Sequence, residues 1–390
     1  MLKKLTEELE GAKKISISFF LYNNPYLHTF IEEMAKNGCE INIYTIPLNG
    51  YDVQKKRLYK SNYADKDAVE TSKLEYAQKV YDKILSSSFN INLNIFPYTY
   101  IWKEQRFSRG SDLYSLHNKS ILAEFSDGWK CITSSCNFAL GDPPHSDSFL
   151  VINGDSNNNA VRIFKEYFSI LDQISLSYSD YCKYSENYYD FDYSVSVVNL
   201  KDTFITDYFT APFIKYDGVG SNRYVHNKIL EMIKSAQERI YICSQHFGDI
   251  LPFNPRDGSI VEALKKVEKK VDIKVLKQTR PWHQASPMRT DKTEKELRIH
   301  SNISQKVWHP IVHDKFIIVD NKVLVTTGNF MPTQFAWSDN RTMKYIVGGE
   351  QYERVRVFSE VNSYHFLEDA HITENYEKHF NHLWEKSECF

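Results

Sequence analysis

The sequence predicts an α/β protein built from two copies of one domain, each a mixed or parallel sheet flanked by helices, in a pseudo-two-fold arrangement. Three observations carry that expectation. Short alternating apolar runs stand between segments of helical spacing, the same order of runs returns in the second half, and two similar motif segments begin at His117 and His313.

The elements follow in order. Leu5 and Leu9 precede a strand-like run with Ile15, Ile17 and Phe19 alternating, and Leu27, Phe30, Ile31 and Met34 then recur at helical spacing, with Gly38 where a helix would end. Ile41 and Ile43 mark a second strand. In the second half, Ile229, Met232, Ile233 and Ala236 predict a helix, Ile240 to Cys243 a strand, Ile260, Leu264 and Val267 a helix, and Val271, Ile273 and Val275 a strand. The ends of the halves match as well: the run from Phe149 resembles the run from Tyr345, and the helical run from Phe164 resembles the one from Tyr376. The Tyr-, Ser- and Asp-rich stretch near Ser175 to Leu200 lacks a helical period, so the expected organisation is a first domain over 1–174, a linker or wrapping segment over 175–205, and a second domain over 206–390. The first half also has more chain ahead of its motif, including a polar helical stretch over Asp67 to Ser86.

The whole chain narrows the function classes. Its 390 residues suit two or three domains, and a 42% hydrophobic, 25% charged composition excludes disordered and fibrous classes. The N-terminus lacks the apolar core of an export signal, and no run approaches the roughly 20 apolar residues of a membrane span, which sets the cytoplasm as the expected compartment. Six dispersed cysteines without a CxxC pair suggest neither a disulfide framework nor a zinc knot. A formal net charge of -2 gives no overall attraction to nucleic acid or anionic lipid.

The chemistry is concentrated in the two motifs. His117, Lys119 and Glu124 share the spacing of His313, Lys315 and Asp320. On a strand, residues two apart share a face, so each His and Lys can reach one bound anion together. After each motif come a turn, a returning strand and a polar corner, Ser135 with Asn137 and Thr327 with Asn329, which could add hydrogen bonds to a phosphate. With 13 histidines about one HxK pair is expected by chance, and His226 with Lys228 is such a pair, continuing as an amphipathic helix with no acid at the motif position. The other two pairs share a following hairpin and corner, which chance does not supply. A lysine beside each histidine would repel a divalent cation, and neither HxH nor HExxH occurs, so no metal or other cofactor is expected.

Paired HxKxxxx(D/E) motifs, each followed by a polar x-Asn corner in a duplicated α/β chain, resemble the phospholipase D superfamily. That resemblance implies a phosphodiesterase in which one histidine forms a phosphohistidine and the other protonates the leaving oxygen. His117 would be the nucleophile and His313 the general acid. Lys119, Lys315, Asn137 and Asn329 would bind the phosphate oxygens, and Glu124 and Asp320 would fix the rings. The sequence departs from the family pattern at Glu124, at Ser134 and at Thr326, and leaves Asp127 as an alternative acid in the first motif.

Soluble members of that family suggest a nuclease acting on DNA or RNA, with a phospholipase or cardiolipin synthase-like phosphatidyltransferase as the alternative and a catalytically silent binding protein ranked last. Lys103, Arg106, Arg109, Lys277, Arg280, Arg289 and Lys292, interleaved with Trp102 and Trp282, could hold a polyanionic strand or be solvated loop charges. His145, His246 and His309 lie near the motifs and read as packed or surface residues. Two motifs in one chain complete one site, so a homodimer is not required; a regulatory protein partner is compatible with this reading.

Overall fold

The computed structural model describes residues 1–46, 51–52, 57–58, 68–96, 114–140, 145–186, 197–202, 206–211, 213–248, 258–278, 287–308, 311–331, 343–347, 350–354 and 359–389. The basic and aromatic positions between 97 and 113 and between 279 and 286, together with His309, lie outside them, as do the side chains of Arg289 and Lys292.

A seven-stranded sheet and a nine-stranded sheet form the two halves. In the first, Lys14–Phe19 lies between Glu40–Thr45, its parallel neighbour, and Lys119–Glu124, its antiparallel neighbour. Ile91–Ile95 extends the parallel side, while Trp129–Ser134 and Phe149–Gly154 extend the antiparallel side. The second sheet repeats this pattern. Arg239–Ser244 lies between Asp272–Gln278 and Lys315–Val319, with Ile303–Trp308 outside the former and Lys322–Thr326 then Ser359–Leu367 outside the latter. Even the outermost short strands correspond, since Leu176–Ser177 pairs with Ile91–Ile95 as Glu388–Cys389 pairs with Ile303–Trp308.

The central strands of the second sheet are apolar on both faces, with Ile240, Ile242, Ile317 and Val319 buried on one and Tyr241, Cys243, Phe316 and Ile318 on the other, whereas Lys14–Phe19 buries Ile15, Ile17 and Phe19 on one face and the polar Ser16 and Ser18 on the other. The helix Pro25–Lys36 forms where the spacing of Leu27, Ile31 and Met34 requires it. Asn24 caps its first turn by accepting from the Tyr26 and Leu27 amides, and beyond its end Gly38 takes φ 91°, a backbone conformation that glycine adopts without a Cβ penalty. The helix Ala68–Ser86, expected as a polar feature of the first half alone, occupies the sheet position that Pro287–Arg298 occupies in the second, and it buries Ala77, Val80, Tyr81 and Ile84.

One expected correspondence is corrected. Phe149–Gly154 is matched in the second sheet by Ser359–Leu367, which takes the place beside Lys322–Thr326. Among the described residues Met343–Val347 pairs with Glu350–Arg354 alone, in a separate hairpin, so the second half carries an insertion where sequence similarity alone aligned Tyr345 with Phe149. The helices still correspond as expected, Asn159–Ile174 with Ala370–Glu385. His226 and Lys228 fall on the helix Ser221–Lys234, with His226 buried and Lys228 paired to Asp202 at 2.9 Å, apart from the two motifs.

The halves are stitched where the motifs begin. Tyr114–Leu116, just before His117, runs parallel to residues 359–361 of the second sheet, and Ser146 of the first half bridges Val312, just before His313. His117 N donates to Val361 O at 3.1 Å and His313 N to Ser146 O at 3.1 Å. Backbone hydrogen bonds thus fix each motif histidine against the opposite half.

Helix Ala370–Glu385 is tied to the second motif by His379, whose Nε2 lies 2.8 Å from the carboxylate of buried Asp314. Burial pulls His379 down, but Asp314 outweighs it and the net shift is upward. A group with a raised folded pKa stabilises fully below its unfolded value, near 6.5, and loses that contribution as pH rises through the folded value. Urea midpoints should therefore show wild type losing its advantage over His379→Gln as pH rises above about 6.5; a difference that stays constant with pH would show the pair to be neutral packing.

Candidate active site

Each motif begins at the edge of its strand. Lys119 opens Lys119–Glu124 and Lys315 opens Lys315–Val319, with His117 and His313 two residues ahead. His313, Lys119 and Lys315 are buried, and each lysine donates its ammonium to the carbonyl oxygen of its own histidine. That bond holds each His–Lys pair as a compact unit.

The lysines are buried cations. Burial and then the neighbouring Lys315 hold Lys119 well below the ordinary lysine range. Burial pulls Lys315 down to about 8, against the opposing attraction of Asp147 and Asp314. Because Lys119 senses Lys315, and His117 senses both lysines and His313, the two motifs form one electrostatic site. Such a site gains from an anion, since a bound phosphate offsets the repulsion that burial intensifies.

The rings are held across the interface between the halves. His117 Nδ1 lies 3.1 Å from Asn362 Oδ1 and 3.4 Å from Glu360 Oε2, both in the second half. His313 Nδ1 lies 2.8 Å from Asp147 Oδ1, in the first half. Engaging Nδ1 in this way leaves Nε2 of each ring as the atom available for chemistry. Behind these partners the pattern repeats. Ser135 Oγ donates to Asp147 at 2.7 Å and accepts from Ser148 N at 3.1 Å, while Thr327 Oγ1 donates to Asn362 at 3.1 Å and accepts from Ser363 N at 3.0 Å. Asn362 thus stands where Asp147 stands, and Glu360 where His145 stands.

Charge distinguishes the two sides. Burial pushes the Asp147 carboxyl up, yet His145 and His313 outweigh it and hold it below the ordinary carboxylate range. Burial and Lys315 lower His313 to about 4, with Asp147 opposing the fall. Burial, then Lys119 and Lys315, lower His117 well below the ordinary imidazole range, with the Asn362 amide opposing.

Several expected roles change. Glu124 and Asp320 do not meet the rings. Each lies five residues beyond its lysine, at the far end of the same strand, a span of about 17 Å at strand rise. Glu124 pairs with Trp129 and offers its carbonyl to Lys13, and Asp127 lies exposed in the following turn. Asp320, at φ 52°, accepts from the backbone amides of Gln237, Glu238 and Arg239 at 2.9, 2.9 and 3.0 Å, which fixes the turn leading into Arg239–Ser244. Ser135 and Thr327 brace the ring partners and are not turned to an empty phosphate position. Asn329 accepts from His246 N at 3.2 Å, and Asn137 Oδ1 is buried without a partner among the described residues. Asp147, Asn362 and Glu360 were not foreseen. A signal for them exists in retrospect: the segments from His145 to Ser148 and from Glu360 to Ser363 both read polar-x-(Asp/Asn)-Ser.

Fold and site together bring two histidines and two lysines, one pair from each half, into a single electrostatic site. Residues 229–384, within the second half, match the family described as "Cardiolipin synthase, PLD-like domain". The fold is similar to phosphatidylserine synthase of Haemophilus influenzae Rd KW20 (TM-score 0.56, 12% identity, covering 100% of this chain and 85% of that one). It is also similar to polyphosphate kinase from Porphyromonas gingivalis (TM-score 0.51, 10% identity, covering 98% of this chain), of which the chain spans about half the length, 48%. Nuc, a phospholipase D family member from Salmonella typhimurium, covers 47% of this chain with 95% of its own, at 19% identity and TM-score 0.30. No curated protein matches the sequence.

Two substitutions test this division of labour. Asp320→Ala removes the acceptor for three amides and places alanine at a positive φ, so the urea midpoint should report a loss of about 2–3 kcal/mol while folded protein keeps its turnover. If the folded variant is inactive, Asp320 does more than hold the turn. At Gly328, an added Cβ would lie 2.8 Å from Asn362 Nδ2 and 2.9 Å from Tyr364 Oη. Gly328→Ala should therefore displace the partner of His117 and lower kcat by about tenfold or more with KM little changed.

Proposed function

We propose that the protein breaks phosphodiester bonds through a phosphohistidine, with His117 as nucleophile and His313 as general acid. The observation that carries this reading is the different partner of each ring. His313 faces a carboxylate at 2.8 Å, which favours its protonated form, whereas His117 faces a neutral amide first and a carboxylate only at 3.4 Å. The substrate's anion, held by Lys119 and Lys315, would offset the lysine charges that lower both histidines and so let His313 carry its proton.

In the first step His117 Nε2 forms a bond to phosphorus as the leaving oxygen departs with the proton from His313 Nε2. In the second, His313 takes a proton from water or an alcohol whose oxygen attacks phosphorus, and His117 is released. Water gives hydrolysis and an alcohol gives transfer, so one site serves either outcome.

Two substrate classes fit. Likeness to a phosphatidylserine synthase along the whole chain, together with the family description, supports a phosphatidyl substrate, ahead of the nucleic acid expected from the motifs. A specific observation keeps the nuclease reading. Among the described residues no helix can cross a membrane, and the exposed large apolar side chains Met1, Tyr26, Tyr76, Leu85, Val197 and Ile299 are spread over separate elements, without the apolar face an interfacial lipid enzyme uses.

The test supplies bis(4-nitrophenyl) phosphate, phosphatidylglycerol vesicles, DNA and RNA in the presence of EDTA. His117→Asn and His313→Asn should each lower turnover by about 100- to 10,000-fold. Intact mass spectrometry of rapidly quenched His313→Asn should show an acid-labile phosphoryl adduct on His117. An adduct on His313 in His117→Asn protein would reverse the assignment, and full turnover in both variants would sink the mechanism.

A further inference from the structure

The corner beside His313 holds three groups that the proposed reaction does not use as reactants or phosphate ligands together: Cys136, His145 and Asp147. Their ligand atoms, one sulfur, one ring nitrogen and one carboxylate oxygen, all lie within 4.8 Å of one another. Around a tetrahedral zinc ion, with bonds of about 2.0–2.3 Å, such donors stand about 3.5 Å apart, so the set would bind once the His145–Asp147 pair, at 2.5 Å, opened to admit the ion. Thiolate with imidazole selects zinc over magnesium or calcium, which take oxygen donors.

The backbone already presents these donors to one point. Cys136 follows the strand Trp129–Ser134, with its amide donating to Ser134 Oγ at 2.9 Å and its sulfur accepting from Phe138 N at 3.2 Å. His145 and Asp147 come from the segment leading into Phe149–Gly154. His145 Nε2 lies 2.5 Å from Asp147 Oδ2, and the His145 and His313 rings meet edge to face at 4.9 Å. Asp147 therefore uses one oxygen for His313 and turns the other to His145.

The internal repeat is a control within the same molecule. At the equivalent positions the second half has Gly328, Glu360 and Asn362, which lack both thiol and imidazole. The site is therefore not a by-product of building a catalytic corner, because the other corner orients its histidine without it.

We propose that Cys136, His145 and Asp147 form an inhibitory site for a zinc-class divalent cation. Its inhibitory effect rests on the phosphohistidine reading above. A cation on Asp147 Oδ2 would draw the carboxylate out of the position in which its Oδ1 holds His313 Nδ1 at 2.8 Å, and so would turn the ring away from the leaving oxygen. The thiol proton leaves to bulk solvent as the Zn–S bond forms, and no oxidant or reductant is involved.

The decisive experiment titrates chelator-treated full-length protein with Zn²⁺ by calorimetry, and with Cd²⁺ while following the thiolate-to-metal absorption band. In parallel, turnover of bis(4-nitrophenyl) phosphate with and without Zn²⁺ is compared as a ratio within each protein. Wild type should bind one equivalent, show the thiolate band and lose turnover. Cys136→Ser should weaken binding by about 10- to 100-fold or more, lose the band and resist Zn²⁺, and His145→Asn should weaken the calorimetric signal similarly, which covers the case in which one variant does not fold. Absence of a saturable site in wild type, or wild-type affinity in both folded variants, would overturn the site. Cys136-dependent binding that leaves turnover unchanged would overturn the inhibition. Failure of metal-free wild type to turn over any phosphodiester would count against the phosphohistidine reading while leaving the binding result to stand.

Discussion

Each motif histidine is held by the opposite half of the chain, and most of the architecture serves that arrangement. His117 is fixed at its backbone by Val361 and at its ring by Asn362, and His313 at its backbone by Ser146 and at its ring by Asp147. Neither half orients the ring of its own motif histidine. The bond to the Asp147 carboxylate contributes about 1.5–3 kcal/mol and the neutral ones about 0.5–1.5 kcal/mol each, but their larger consequence is geometric: two rings acquire defined tautomers only once the halves dock. The strand Tyr114–Leu116, which leaves the first half to pair with the second sheet, therefore belongs to the site as much as to the fold.

The two buried lysines supply the opposing force. Burial shifts both downward, and the charge of Lys315 adds to the fall of Lys119. An ordinary core would replace such residues with apolar ones, because a buried charge without a close partner is expensive. Here the ammonium groups lean on the carbonyls of their own histidines, a partial satisfaction that positions them without neutralising them. The remaining electrostatic cost is relieved by a substrate phosphate, which converts a destabilising feature of the empty protein into binding energy for an anion.

How much of this could be read in the sequence follows from range. Alternation at Ile15, Ile17 and Phe19, and helical spacing at Leu27, Ile31 and Met34, depend on neighbours in the chain and gave the correct elements. The His–Lys pairs were legible because two residues on one strand carry the signal. Asp147 and Asn362 were not, because each serves a histidine 166 or 245 residues away and no spacing rule connects them. The fifth residue after each lysine was assigned to the rings on motif order alone. Strand rise separates it from the site, and at Asp320 the carboxylate instead caps three amides. The alignment of Tyr345 with Phe149 failed for a related reason: two apolar runs resembled the expected strand, and only the ladder beside Lys322–Thr326 shows that Ser359–Leu367 occupies it.

Duplication produces two similar corners, yet a phosphohistidine reaction needs two unlike histidines. The repeat meets that need with small exchanges behind the rings. Asp147 against Asn362 changes the charge of the direct partner, and His145 against Glu360 exchanges an imidazole for a carboxylate beside it, so that each half contributes one carboxylate, at 2.8 Å or 3.4 Å, to the ring of the other half. Gly328 against Cys136 changes what the corner can tolerate, since the space that Asn362 fills in one half leaves no room for a Cβ. The proposed division of labour between the histidines would thus arise from the residues that face them across the interface, while the His–Lys pairs themselves remain nearly equivalent.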